Sequence, residues 1–391
     1  MNISERIVEC LGEKKTFKKA FCPYRVCPIG AHIDHQLGKI TGFAIDKGIE
    51  VYYIPDNNGI VELSSVNFKE KQSFHVNNVP KVKQNDWADY LRGATIALSS
   101  IRKLSVGIRA LIVGSLPVGG LSSSAAVIIS YLSALCEANG ITLTNDEMIE
   151  TALKSENQYV GVSCGKLDQS CEVLSKKDHL LYLDNKDGKY ELIPKNKQMK
   201  PFRIAIFFSG VERTLVGSKF NMRVDELKSA AYALKAFSGM EYGKFNDTVL
   251  RDVPFEVFLQ YKDRLPENFA KRAEHYYGEM ARVEAGAEAW RRGDIEEFGR
   301  LSFESGRSSI YKYETGSPEL KMLYEIMCRT DGIYGGRKTR AGFKGCCMAL
   351  VDPSFEESIK EKVTREYLAE FPQLAETFSV HFCDTADGVK L

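Results

Sequence analysis

Residues 116–126 read LPVGGLSSSAA, and the reading of this stretch decides the fold. Ahead of it, Gly107–Val113 is an aliphatic run of the kind that predicts a strand. Behind it, Ser124–Cys136 is apolar nearly all round and predicts a buried helix. Glycines let a backbone approach a ligand closely, and a helix N-terminus offers unpaired N–H groups at the positive end of its dipole. Strand, Gly-rich turn and buried helix therefore compose a cradle for an anion such as phosphate, with Gly119, Gly120, Ser122, Ser123 and Ser124 as its candidate residues. It is no Walker A loop, because GxxxxGK[ST] does not occur in it. A serine-capped turn leading into a core helix accounts for the same residues equally well.

Outward from that stretch, strands are predicted at Ile49–Ile54 and Ile60–Ser65, and helices at about Trp87–Ser100 and Asp146–Val160. Thr144, Asn145, Asp146 and Glu147 supply capping groups and early acids to the latter helix. From 185 to 199 the composition turns to Asn, Lys, Asp and Gly, with Pro194 and Pro201 beside it, which marks a boundary between domains at 1–198 and 199–391. Beyond it come a strand at Phe202–Phe208, helical patterns from Met222 to Met327, a Gly-rich stretch from Gly332 to Val351, a helix, and a strand at Phe378–Cys383. Strands mixed with helices in both halves predict two α+β domains.

The 391 residues suffice for two or three domains of ordinary size. Hydrophobic residues at 44% and charged residues at 27% exclude bulk disorder. A net charge of +1 and the absence of like-charge runs exclude a nucleic-acid or anionic-membrane binder driven by its overall field. Ten cysteines without metal-ligand spacing read as reduced thiols, and no secretory leader or bilayer span is expected. A cytoplasmic enzyme of ordinary globular size is the expectation.

Three further stretches carry chemistry. Residues 21–38 read FCPYRVCPIGAHIDHQLG, where an Arg-bearing strand reaches Gly30 and then His32, Asp34 and His35. Such a cluster can orient sugar hydroxyls, bind a metal, or form an Asx turn with satisfied histidines. Residues 154–169, KSENQYVGVSCGKLDQ, place Glu156 on a predicted helix and Asp168 at the start of the next. Two carboxylates so placed can meet around one Mg²⁺ or divide into metal ligand and base, while Asp168 also suits a helix start on dipole grounds alone. Residues 335–347, GGRKTRAGFKGCC, are dense enough in small residues for a backbone closing over a ligand or for a tight bulged hairpin.

Together, and in this order, the four stretches resemble the galactokinase branch of the GHMP kinases. Residues 25–35, RVCPIGAHIDH, resemble the family's sugar-binding motif RVNLIGEHTDY; 120–125 resemble its phosphate loop, and 164–169 its CGxMDQ. Weaker echoes occur at 87–93, 271–275 and 317–320. The resemblance implies a two-domain α+β kinase with nucleotide and sugar in the cleft between the domains. It implies Asp168 as the base for the anomeric hydroxyl, with Arg25 beside it. Ser124 and Glu156 would hold Mg²⁺, and Gly119, Gly120, Ser122, Ser123 and Ser124 would cradle the phosphates of ATP. Trp87 and Tyr90 would lie near the adenine, and Ala31, His32, Asp34, Gly165 and Phe220 at the sugar.

Departures from the family pattern bear on substrate. Galactokinases carry a Glu where this chain has Ala31, and a carboxylate there would repel a carboxylate at C6 of a sugar. With Pro23–His35 and 342–347, this makes the chain most similar to plant galacturonokinases. The expected reaction is ATP-dependent phosphorylation of the anomeric hydroxyl of a hexuronic acid, foremost D-galacturonate. A galactokinase and a non-catalytic sugar sensor on the same scaffold are the alternatives. Phe220 stands where galactokinases have a sugar-contacting Tyr. The turn at 117–121 is one residue shorter than the family's. Arg340 can meet a uronate carboxylate, a nucleotide phosphate or solvent. Expected partners are a small sugar or uronic acid and ATP, with no nucleic acid and no membrane, for a monomer or weak homodimer.

Overall fold

In the computed structural model, which describes residues 3–12, 16–117, 121, 123–211, 218–339 and 345–391, the chain opens with α1 (Ile3–Leu11) and builds its first sheet around one long strand. β1 (Lys18–Val26) pairs antiparallel with β2 (Lys39–Asp56), from Lys18 opposite Tyr53 to Val26 opposite Phe43. β3 (Ile60–Ser65), β4 (Gln72–His75), β5 (Gly107–Gly114), β6 (His179–Asp184) and β7 (Tyr190–Pro194) complete the order β4-β3-β5-β2-β6-β7. Only β3 and β5 run parallel. The predicted strand at Ile49–Ile54 is thus the middle of a strand eighteen residues long. Alternate side chains explain how it is covered on both faces. Val51 and Tyr53 enter the main core, while Ile54 joins Leu111 and Val113 of β5 under Ile7 and Leu11 of α1.

Against this sheet lie α2 (Asp89–Ser99), α3 (Ser123–Asn139), α4 (Asn145–Lys154) and α5 (Leu167–Leu174). α3 is buried over most of its surface, as its largely apolar sequence requires, with Glu137 exposed. The serines within it, Ser130 and Ser133, donate back to the carbonyls of Ala126 and Ile129 at 2.8 Å, so neither hydroxyl is left unpaired. α4 starts with a reciprocal cap: Thr144 Oγ1 accepts from Glu147 N at 3.2 Å and Glu147 Oε2 from Thr144 N at 3.0 Å. The helix predicted to reach Val160 changes character at Ser155. Residues Ser155–Val160 widen into a π turn, closed by the bond from Gly161 N to Glu156 O at 2.9 Å.

The second sheet is antiparallel, in the order β11-β8-β10-β9: β8 (Arg203–Phe208), β9 (Ile333–Lys338), β10 (Cys346–Val351) and β11 (Ser379–Cys383). One face, with Ile204, Ile206, Phe208, Cys346, Met348 and Leu350, joins the core of the first sheet. The other packs on α10 (Pro318–Cys328) and α11 (Glu356–Glu370). The helical region between the sheets' strands contains α6 (Ser218–Ser238), α7 (Phe255–Tyr261), α8 (Glu267–Arg292) and α9 (Ile295–Tyr311). The chain finally returns to the first sheet, where β12 (Thr385–Ala386) pairs with Ile45 and Ala44 of β2. The mixture of sheets and helices is the expected α+β architecture. Among the described residues no helix is long and apolar enough to cross a membrane, and all ten cysteines are free thiols.

Trp290 of α8 ties the later helices to the first sheet. Its ring is fully buried against Phe43 and Phe298, and its Nε1 donates to Ile193 O of β7 at 3.0 Å. Trp290→Ala is expected to cost about 3–5 kcal/mol, read as a shifted denaturant midpoint.

Candidate active site

Three segments converge because each is held by a different element. Arg25 sits near the end of β1, residues 30–38 form the turn between β1 and β2, and Asp168 lies in the first turn of α5. Arg25 is almost wholly buried. Its Nε and Nη2 both donate to Asp168 Oδ1, at 2.8 and 2.5 Å. Burial alone would favour loss of the guanidinium's proton, but the Asp168 carboxylate outweighs it and raises the Arg25 pKa. Asp168 keeps 15% of its side chain exposed, so the pair is buried on the arginine side and open on the carboxylate side. That is the arrangement of a carboxylate held in place and still able to take a proton from a ligand.

Asp34 lies against the same carboxylate. Its Oδ2 accepts from Leu167 N at 3.3 Å, and burial first, then the charge of Asp168, push its pKa up to about 6. Gly165 makes this approach possible. A Cβ there would sit 2.5 Å from Asp34 Oδ2 and 2.6 Å from His35 N, closer than any side chain tolerates. Phe220, near the start of α6, stands with its ring 6.0 Å from that of His35, edge on. His35 in turn lies 3.3 Å from the Tyr313 hydroxyl, and burial lowers its pKa to about 3. Asp34, Gly165, Phe220, Arg25 and Asp168 therefore belong to one neighbourhood.

Ala31 and His32 belong to the same turn. Ala31 is buried, and its carbonyl oxygen lies 3.1 Å from His275 Nε2. His32 has φ +67°, a left-handed conformation that a non-glycine residue holds only where its surroundings impose it. Its ring stacks on Tyr313 with centroids 4.6 Å apart, and its Nε2 lies 2.9 Å from Ser309 Oγ.

Glu156 projects from the π turn, buried, and its Oε2 accepts from Gln169 Nε2 at 2.5 Å. Ser123 and Ser124 begin α3, whose N-terminus directs its dipole toward the preceding turn. Gly119, Gly120 and Ser122 lie outside the described residues, as does Arg340. Trp87 precedes α2, stacked on Phe68 at 5.6 Å, with Nε1 donating to Glu70 O. Tyr90 packs against the main core.

The chain carries the GHMP kinase N-terminal domain at residues 89–176 and the GHMP kinase C-terminal domain at residues 287–369. It is 38% identical to a galacturonokinase of Arabidopsis thaliana, over all of this chain and 97% of that one. The chain belongs to the GHMP kinases. This kinase is also 31% identical to a galactokinase of Roseiflexus, over 94% of its own length and 91% of the relative's. Its fold superposes on the Lactococcus lactis galactokinase solved with galactose, with a TM-score of 0.89, 27% identity and coverage of 99% and 98% of the two chains. A mevalonate kinase of Methanococcus jannaschii shares the fold at a TM-score of 0.64 and 17% identity, covering 95% of this chain and 99% of that one.

A kinase of this family takes its phosphoryl group from ATP. Among the described residues no cluster of three or more His, Cys, Asp or Glu could hold a metal by itself. Mg²⁺, however, is commonly held by one or two protein oxygens together with phosphate oxygens, and the Ser124 hydroxyl and Glu156 carboxylate are donors of that kind. The residues present fit the ion.

Several residues around this site were not singled out from sequence. Glu279 of α8 accepts from Gly30 N at 2.7 Å and from Arg282, and its Oε1 also takes the Ser305 hydroxyl. Arg337 and Lys338 of β9 approach His32. The arginine and lysine are visible within GGRKT, but glycine density there leaves a loop over a ligand and a bulged hairpin both open. Part of that density serves packing: Gly335 of β9 lies against Gly299 of α9, and a Cβ on Gly335 would fall 1.9 Å from Gly299 O. β9 and β10 pair with a register shift at Leu350/Val351, so the bulged-hairpin reading describes the strands.

Asp34 generates a test. A carboxyl group whose pKa rises on folding holds its proton more tightly in the native state. Its contribution to stability therefore falls as pH climbs from about 4 to about 6, and the penalty is complete above that. Asp34→Asn should raise the melting temperature at pH 7.5 by an amount worth on the order of 1–3 kcal/mol. The gain should vanish near pH 4. Melting curves of both proteins across pH 4–8 check this.

Proposed function

We propose that this kinase transfers the γ-phosphoryl group of ATP to the anomeric hydroxyl of a hexuronic acid, with D-galacturonate the preferred acceptor. The observation that carries the reading is Ala31. It places a methyl group at the position where galactokinases carry a Glu, next to a site that already holds the Asp34 and Asp168 carboxylates. A third carboxylate would work against an anionic substrate, and removing it admits one. The full-length similarity to a galacturonokinase supports the same conclusion.

In the reaction, Asp168 accepts the proton of the anomeric hydroxyl as that oxygen bonds to the γ-phosphorus. The bond from the γ-phosphorus to the bridging oxygen breaks and ADP leaves. Arg25 fixes the Asp168 carboxylate at Oδ1 and offsets negative charge as it builds on the transferring group. Asp34 directs sugar hydroxyls, in a geometry that Gly165 permits, with Phe220 closing the pocket as an apolar face. The phosphate-binding role of Gly119, Gly120, Ser122, Ser123 and Ser124, and the adenine-side role of Trp87 and Tyr90, are carried over from the family's motifs. Ser124 and Glu156 would hold Mg²⁺, which when bound neutralises charge on the β- and γ-phosphates. The reading includes a cytoplasmic enzyme, monomer or weak dimer, with its two domains meeting near residue 198.

The direct test is ADP release with Mg²⁺-ATP and galacturonate, glucuronate or galactose side by side. Faster turnover of galacturonate is the expected result. Preference for galactose would make the chain a galactokinase, and no turnover with any sugar would favour a sensor. Asp168→Asn should lower kcat by about 10²–10⁴-fold with the melting temperature preserved within a few degrees. Ala31→Glu should reduce kcat/KM for galacturonate by about tenfold or more while leaving galactose use equal or improved. Unchanged galacturonate turnover in that variant would defeat the electrostatic argument.

A further inference from the structure

Two cations meet one imidazole beside Ala31. Lys338 Nζ lies 3.3 Å and Arg337 Nη2 3.5 Å from His32 Nε2, and both side chains are fully buried. The Arg337 guanidinium has hydrogens to offer and no lone pair in any protonation state it reaches, and the Ser309 hydroxyl at 2.9 Å can also donate. His32 Nε2 therefore accepts, and the single proton of the neutral ring stays on Nδ1. Burial, Lys338 and Arg337 all hold the His32 pKa well below its ordinary value, which keeps the ring neutral. The ring is fixed in place by its stack on Tyr313 and by its left-handed backbone. Nδ1 enters no hydrogen bond among the described residues.

Positive charge gathers around this ring. Arg337 Nη1 stands 4.0 Å from Glu279 Oε1, but Glu279 also serves Arg282, Gly30 N and Ser305. The Nε and Nη1 hydrogens of Arg337 are buried and make no hydrogen bond. Native proteins leave few buried donors in that state, and those that persist call for a reason. Burial and the neighbouring Arg337 together push the Lys338 ammonium well below its ordinary value, the condition of a cation that an arriving anion would stabilise.

We propose that Lys338 and Arg337 select a carboxylate at C6 of the sugar, acting through the Nδ1–H of His32, the residue next to Ala31. His32 touches the substrate and the two cations are positioning residues behind it. They hold its tautomer and supply the charge that a neutral hydroxymethyl group would not use. This rests on the hexuronate reading of the site.

Lys338→Met keeps length and removes charge, and Lys338→Arg restores charge. In Lys338→Met the ratio of kcat/KM for galacturonate over galactose should fall at least tenfold, chiefly through KM for galacturonate, and Lys338→Arg should recover most of it. An equal loss with both sugars, or an unchanged ratio in a folded variant, overturns the proposal. An independent measurement needs no variant. In ¹⁵N spectra of the wild-type histidines, His32 should show the Nδ1–H tautomer, and galacturonate but not galactose should shift its Nδ1 resonance. A resonance indifferent to galacturonate overturns the proposal as well. Calorimetric binding of galacturonate to the wild-type protein separates the two readings. If it binds neither galacturonate nor glucuronate, the hexuronate reading falls and this inference with it. If it binds galacturonate and Lys338→Met binds it equally well, only the role of Lys338 and Arg337 falls.

Discussion

Arg25 is a guanidinium taken almost wholly out of water, and a carboxylate against it offsets much of what that desolvation costs. Asp168 is that carboxylate. The pair joins the end of β1 to the first turn of α5, two elements that are far apart in sequence, and so sets where the turn of residues 30–38 and the loop of residues 161–166 must lie. Gly165, Asp34 and the backbone of Leu167 then pack in the space that remains. Because the arginine is enclosed and the aspartate is not, the same contact leaves a charged oxygen-bearing group partly exposed. Stability and chemistry meet in one ion pair.

The crowding of acids explains why a single small residue matters. Asp34 already bears the cost of burial and, after it, of the Asp168 charge, as its raised pKa of about 6 records. Near His32 the balance reverses, with Arg337 and Arg282 sharing one Glu279 and Lys338 against the His32 ring. The turn of residues 30–38 is thus graded in charge, acidic beside Asp34 and Asp168 and basic where His32 meets Arg337 and Lys338 of the second sheet.

Much of this was legible from residue patterns, for identifiable reasons. α3 announced itself because it is apolar on every face, and α4 because Thr144 and Glu147 form a reciprocal cap. Only the middle of β2 was visible. Residues 39–48 mix Lys39, Gly42, Asp46, Lys47 and Gly48 with apolar positions, and their strand character comes from pairing to β1, β6 and β12, not from alternation. The π turn at Ser155–Val160 was invisible, since its sequence continues a helical pattern and only its hydrogen bonds differ. In the site, residues carrying a motif were found and residues supporting it were not. Glu279, Tyr313, Ser309 and Lys338 come from elements distant in sequence, and nothing local in α8, α9 or β9 signals that they face residues 30–32.

The return of the chain to its starting sheet has a consequence for how the molecule comes into being. β12 lies beside Ala44 and Ile45, Thr385 Oγ1 accepts from Asp178 N at 3.0 Å, and Gly388 N and Val389 N donate to Ser175 O and Glu172 O. During synthesis the first sheet emerges early, yet this side of β2 waits for residues that follow the whole second sheet. Until they leave the ribosome, Asp46 N, which ends up bonded to Asp384 O, stays with water or a chaperone. Such a long-range closure slows folding and keeps the nascent first half incomplete. The first sheet is therefore completed only once the last residues of the chain have joined it.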